Sequence, residues 1–286
     1  MKKSFVKNVF ALLLIAFYSL SVQAKDVIKI LAIGNSFSDD AVENYLYELA
    51  KAAGDSLVIG NAYIGGCSLE THNKNAGSNA AAYSYRKIVG GKKTTIANST
   101  LLSCIKDEPW DYISFQQASP NSGIYATYFP YLTDLMKYTK SNATNHRVKF
   151  ILHRTWAYAK TSSHTGFANY HNNQDEMYRA IVDATRKVVK EVKGFKLLIP
   201  SGTAIQNART SAIGDNLCRD GYHLELTYGR YTAACTWFEA LTGKSVVGNT
   251  YVPETINSSK AKIAQNAAHY AIRKPDEVTS MASFSL

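Results

Sequence analysis

The chain has 286 residues, 46% of them hydrophobic and 19% charged, which excludes a disordered or fibrous protein and suits one globular domain or two small ones. Its 32 Lys and Arg stand against 22 Asp and Glu, a formal charge of +10 that on a soluble protein would point to a polyanion such as nucleic acid. The first two dozen residues undercut that implication.

Residues 1–24 combine a basic start (Lys2, Lys3, Lys7), an apolar run over 9–18 and the small-residue exit Val22-Gln23-Ala24. This is the layout of a secretory signal peptide, too short and wrongly flanked for a stable membrane span. Cleavage near Ala24 is expected to leave 29 basic against 22 acidic residues, a charge of +7, on a periplasmic or extracellular protein. No cysteine follows the exit to carry a lipid, and no later run approaches the roughly eighteen apolar residues of a membrane helix, so no membrane anchor is expected. Export also removes nucleic acid from the expected partners. Cys67, Cys104, Cys218 and Cys235 permit disulfides in that compartment without requiring them.

In chain order, residues 27–33 read as a buried strand and 39–53 as an amphipathic helix with Val42, Leu46 and Leu49 on one face. A strand is expected at 57–64, a helix at 100–106, a short strand at 112–115 and a helix at 128–139. A strand at 148–152, a long helix at 174–192 and a fifth strand at 195–199 follow. A helix over 227–241 then ends at Gly243, a C-cap position. The segment 73–98 shows no clear pattern, and 258–272 reads as a further helix in a C-terminal extension over about 253–286. Five strands alternating with helices predict a single α/β domain over 25–286, a three-layer sandwich with a five-stranded parallel sheet and helices on both faces.

In such a sheet, functional groups collect in the loops after the strands. Ser36 follows the first strand at a helix start, where it reads either as an N-cap or as a nucleophile with helix N–H groups beside it. A serine hydroxyl needs a base, and Asp220-Gly221-Tyr222-His223 supplies one: the carboxylate folds back onto one imidazole nitrogen and leaves the other free to take the serine proton. His153, Arg154 and Trp156 follow the fourth strand and read either as a carbohydrate-binding surface or as packing residues. His72, His164 and His171 lack zinc-ligand spacing, so no metal is expected, and no phosphate-binding loop is present, so no nucleotide cofactor is expected either.

Gly34-Asn35-Ser36-Phe37-Ser38 resembles the first motif block of the SGNH (GDSL-type) hydrolases, with Asn35 for the usual aspartate and Phe37 for the usual leucine. Asn61-Ala62-Tyr63-Ile64-Gly65-Gly66 resembles the second block, and Asp220-Gly221-Tyr222-His223 the fifth. The resemblance spans about residues 27–243 and is closest to a secreted bacterial branch without an assigned function. It implies a flavodoxin-like SGNH fold, a Ser36, Asp220 and His223 triad, and an oxyanion hole made by the N–H groups of Ser36 and Gly66. Where the family has Gly-x-Asn-Asp, this chain has Gln116-Gln117-Ala118-Ser119. The Gln116 amide is the expected third donor, with Gln117 as its competitor. If the loops of Cys67 and Cys218 meet at the site, a disulfide would join them. The implied activity is hydrolysis of a short acyl ester, acetyl foremost, on a small molecule or a polysaccharide. The alternatives are a lipid or aryl esterase and a non-catalytic carbohydrate-binding protein.

Overall fold

A computed structural model describes residues 27–284, so the expected signal peptide lies outside the described residues. Strand β1 (Ile28–Gly34) leads into α1 (Ser36–Val42) and α2 (Leu46–Ala52), then β2 (Leu57–Tyr63) and α3 (Leu69–Ser78). Next come β3 (Tyr83–Val89), β4 (Lys92–Ser99), α4 (Leu101–Lys106), β5 (Tyr112–Phe115) and α5 (Tyr131–Asn142). The chain continues through β6 (Lys149–His153), α6 (Gln174–Glu191), β7 (Phe195–Ile199), α7 (Ser201–Arg209), α8 (Tyr228–Thr242) and α9 (Ser258–Arg273).

These elements build one α/β fold around a mixed seven-stranded sheet in the order β4-β3-β2-β1-β5-β6-β7. The five parallel strands read from the sequence form its centre and one edge. The expectation of a five-stranded, all-parallel sheet is corrected by β3 and β4, an antiparallel hairpin added beside β2. Gly90 and Gly91, at φ +60° and +79°, close that hairpin in the left-handed geometry that a two-residue turn matched to strand twist requires. Its outer strand is exposed over seven of its eight residues, and Lys92 and Lys93 sit on that open edge, where charge discourages pairing with another chain.

Side chains alternate along the buried strands. Ile30 and Ala32 of β1 join Ile59, Ile151 and Ile199 in a core with α1, α2, α7, α8 and α9, while Leu31 and Ile33 face the opposite core with α3, α4 and α5. This two-sided burial explains the near-continuous apolar runs of the parallel strands. The register matters most at the carboxyl ends. Gly34 of β1 lies opposite Tyr63 of β2, and Ile33 opposite Phe115 of β5, so the chain leaves all three strands at one level.

The single helix expected over 39–53 is two helices. Tyr45 turns to φ +66° between α1 and α2, and its hydroxyl donates to the Leu226 carbonyl at 2.9 Å, beyond the end of the Asp220–His223 loop.

Candidate active site

The first helix position beyond β1 removes one of the two readings of Ser36, the N-cap. Asn35 is the N-cap: its Oδ1 accepts the Phe37 N–H at 2.9 Å. Ser36 is therefore the first helical residue and has no capping duty, and its hydroxyl and N–H stand at the head of α1, among the N–H groups that no intrahelical carbonyl can reach. The Asn35 Nδ2 donates to the Cys67 carbonyl at 3.0 Å and ties the loop after β2 to the serine. In that loop Gly66 takes φ +65°, a conformation glycine adopts freely, and among the described residues its N–H meets no acceptor. Ser36 and Gly66 thus line one space, each with an N–H that meets no acceptor among the described residues.

Gln116 does not reach that space. It is 2% exposed and lies beneath Asn35, with Nε2 donating to Asn35 Oδ1 at 2.8 Å and Oε1 facing His153 Nδ1 at 2.8 Å. The expected third oxyanion donor is corrected by this placement. Gln117 is no substitute, because its Oε1 accepts the N–H groups of Leu69 and Ala118 and its Nε2 donates to Thr127. The buried row has only one consistent proton arrangement. Two backbone groups orient the Asn35 amide, so Gln116 must donate to it and accept from His153. The His153 ring therefore carries its proton on Nδ1, and its Nε2 accepts from the Ser201 hydroxyl at 3.0 Å. Burial lowers the His153 pKa to about 3, so the ring stays neutral.

His153, Arg154 and Trp156, expected to line the cleft, are 2%, 0% and 0% exposed and do not touch it. After β6 the chain stays buried from Ile151 to Ala159 instead of turning outward. Arg154 holds the C-terminal segment through Asp276 at 2.7 Å and the Pro275 carbonyl. Trp156 stacks on Phe37 at 4.4 Å and donates from Nε1 to the Tyr222 carbonyl at 2.8 Å, bracing both the serine helix and the histidine loop. Such a stacked pair adds about 0.5–1.5 kcal/mol beyond its burial.

In the histidine loop, Asp220 Oδ2 lies 2.6 Å from His223 Nδ1, and Oδ1 accepts the N–H groups of His223 at 2.8 Å and Tyr222 at 3.2 Å. Burial works to raise the Asp220 pKa, but the bonds from His223 and the two backbone groups outweigh it and hold the carboxyl below its ordinary value. The carboxylate accepts, so His223 carries its proton on Nδ1 and leaves the Nε2 lone pair free. Gly221 sits at φ +90°, where a Cβ would also meet Ser162 at 2.9 Å.

Asp40, invisible as a functional residue in the sequence, joins the two halves of the site. It lies on α1 one turn beyond Ser36 and is 0% exposed. It accepts from Arg219 at 3.1 Å, from Arg230 at 2.8 Å and from the Leu224 N–H at 2.8 Å, so the residues on either side of the Asp220–His223 segment are fastened to the serine helix.

Ser36, Gly66, His223, His164, Tyr222 and Arg219 are among the residues lining one cavity of about 420 Å³. The cysteines take no part. All four are free thiols, so the Cys67–Cys218 disulfide is not formed: Cys67 Sγ is directed at the Ser68 carbonyl and Cys218 Sγ at Arg209. Burial pushes the Cys67 thiol up to about 12, too high for a thiolate nucleophile at neutral pH. Among the described residues, no three His, Cys, Asp or Glu side chains converge as a metal site.

Residues 29–271 match the model of a domain of unknown function, DUF4886. The chain is similar to the crystal structure of a DUF4886 family protein from Bacteroides uniformis ATCC 8492, with 55% identity, a TM-score of 0.88 and coverage of 91% of this chain and 100% of that one. A carbohydrate esterase family 3 protein from Talaromyces cellulolyticus overlaps at TM-score 0.48 and 12% identity, over 76% of this chain and 97% of that one. A variant of an acetyl-xylooligosaccharide esterase from Geobacillus Stearmophilus gives the same TM-score and identity over 75% and 94%. No curated protein matches the chain.

Proposed function

The chain belongs to the DUF4886 family, and we propose that it is a serine esterase releasing short acyl groups, acetyl foremost, from carbohydrate outside the cytoplasm. One observation carries this reading: Asn35 relieves Ser36 of capping, and Ser36 then shares a cavity with a histidine whose far nitrogen is bonded to a carboxylate at 2.6 Å. The resemblance to SGNH hydrolases supports it as well, since the three motif segments that carry it meet at one edge of the sheet.

Each step uses a group already described. His223 Nε2 takes the Ser36 proton as Oγ attacks the ester carbonyl carbon. The N–H groups of Ser36 and Gly66 receive the oxyanion of the tetrahedral intermediate. The C–O bond to the alcohol breaks and the alcohol departs with the proton from His223; water, deprotonated by His223, then attacks the acyl carbon, its bond to Ser36 Oγ breaks, and His223 returns the proton to Oγ as the acid is released. Asp220 keeps the imidazole in the required tautomer and stabilises its cation. The hydroxyl, imidazole and guanidinium groups lining the cavity favour a polar alcohol over a lipid chain.

The test is hydrolysis of 4-nitrophenyl acetate and butyrate by the protein and its Ser36→Ala variant. Acetate is expected to be the better substrate, and the variant to lose on the order of 10⁴-fold or more in kcat. Equal rates in the two proteins would overturn the reading in favour of a binding protein, and a preference for butyrate would favour the lipid or aryl esterase.

A further inference from the structure

The cavity contains a second histidine with no part in the proton transfers above. His164 lies on the loop between β6 and α6 and caps the 3-10 turn Thr165–Tyr170, with Nδ1 accepting the Gly166 N–H at 3.0 Å. A nitrogen that accepts from a backbone N–H has no proton of its own, so the neutral ring carries its hydrogen on Nε2. The rings of Tyr158, at 4.9 Å, and Tyr222, at 4.8 Å, hold the imidazole in place. His164 is therefore an oriented neutral donor lining the same cavity as Ser36.

Its position in the fold says which part of a substrate it meets. The Tyr222 ring stands between the two histidines, 4.2 Å from His223 and 4.8 Å from His164. The His164 loop is packed directly against the base loop: the Ala159 N–H donates to the Gly221 carbonyl at 2.8 Å, and a Cβ on Gly221 would meet Ser162. Gly66, by contrast, follows β2, on the other side of β1 from β5 and β6. The oxyanion and His164 thus fall on opposite sides of Ser36, and His164 shares its side with His223, which must protonate the departing alcohol.

We propose that His164 Nε2–H donates a hydrogen bond to a hydroxyl of the alcohol portion of the substrate, next to the ester, and so selects polyhydroxylated alcohols, sugars above all. The proposal rests on the serine-esterase reading and assigns the alcohol-side specificity of that site. His164 positions substrate and exchanges no proton. Burial, and the neighbouring His223 when it is charged, lower the His164 pKa, which keeps the ring in its neutral donor form. An alcohol without a neighbouring hydroxyl leaves this half-buried N–H without its partner, and sites built to pair a substrate hydroxyl discriminate on that ground.

His164→Asn separates the two roles of the side chain. Asparagine is a preferred N-cap and retains an acceptor for the Gly166 N–H, but it is too short to carry a donor to the position of the ring Nε2. The variant is compared with the unaltered protein on 4-nitrophenyl acetate, whose leaving group has no neighbouring hydroxyl, and on acetylated xylooligosaccharide, with thermal unfolding as a check on the fold. The expected result is unfolding within a few degrees of the parent, and a loss of kcat/KM on the sugar ester about tenfold larger than the loss on the nitrophenyl ester. Equal losses on both substrates, or none on the sugar ester, would overturn the His164 assignment and leave the serine-esterase reading standing. A parent protein inactive on both substrates, or one whose activity Ser36→Ala leaves unchanged, would overturn both.

Discussion

The two halves of the site are held by opposite physics. On the serine side, Asn35, Gln116, His153 and Ser201 form a buried, neutral hydrogen-bonded row anchored to backbone groups of Phe37 and Cys67. On the histidine side, a loop with a partly exposed Asp220 is fastened by charge, through Asp40 and the guanidinium groups of Arg219 and Arg230. A neutral row has little ion-desolvation cost and fixes atoms through directed bonds, so it suits groups that must not move, such as the proposed nucleophile and oxyanion donors. A charged fastening acts over a longer range, but the buried partner depends on its counter-ions. Damage to the first should appear as misplacement with the fold intact, and damage to the second chiefly as lost stability.

The largest expected effect tests what the halves share. His223→Ala should lower kcat on 4-nitrophenyl acetate by on the order of 10⁴-fold or more with unfolding almost unchanged, matching Ser36→Ala. A loss of only a few-fold would separate His223 from the chemistry. Asp40→Ala should cost about 3 kcal/mol in denaturant unfolding, the low end for breaking a buried pair, because both arginines keep some contact with water. A stability change below about 1 kcal/mol would show that the base loop is not held by charge.

His153→Phe should act differently. It leaves the Gln116 oxygen without its donor, shifts the Asn35 amide, and is expected to lower kcat about tenfold to a hundredfold with KM within about twofold. Nitrogen-15 NMR of the unaltered protein should find His153 neutral with its proton on Nδ1, and a proton on Nε2 would contradict the hydrogen-bond directions in the row.

The smallest effect is in pH. The Asp220 pKa is depressed in the folded protein, so its stabilising contribution is complete above the ordinary value of 3.8 and is lost as pH falls through the lower folded value. The stability difference between the protein and Asp220→Asn should shrink as pH falls below the ordinary carboxylate value, modestly because Asp220 is 40% exposed. A difference that grew on acidification would reverse the sign of the linkage.

The same contrast explains what the sequence could convey. The five parallel strands were legible because burial on both faces makes them apolar runs, and the contact of Asp220 with His223 because the two lie three positions apart. The β3–β4 hairpin was not, since β4 is almost wholly exposed and lacks an apolar alternation; its one signal is Gly90-Gly91 between β-compatible segments. His153, Arg154 and Trp156 were placed at the cleft by the rule that loops after strands line it. After β6 the chain instead stays buried, and the residue of that connection that does line the cavity is His164. Asp40 reads as a solvated helix residue, because its partners Arg219 and Arg230 lie 179 and 190 positions away in the chain.

The central claim is that Ser36 is an activated nucleophile, and covalent labelling tests it most directly. After treatment with a fluorophosphonate, peptide mass spectrometry should find one adduct, on Ser36, whose formation is abolished in Ser36→Ala and strongly slowed in His223→Ala. An unlabelled protein that is otherwise folded, or an adduct on any other residue, would contradict the account.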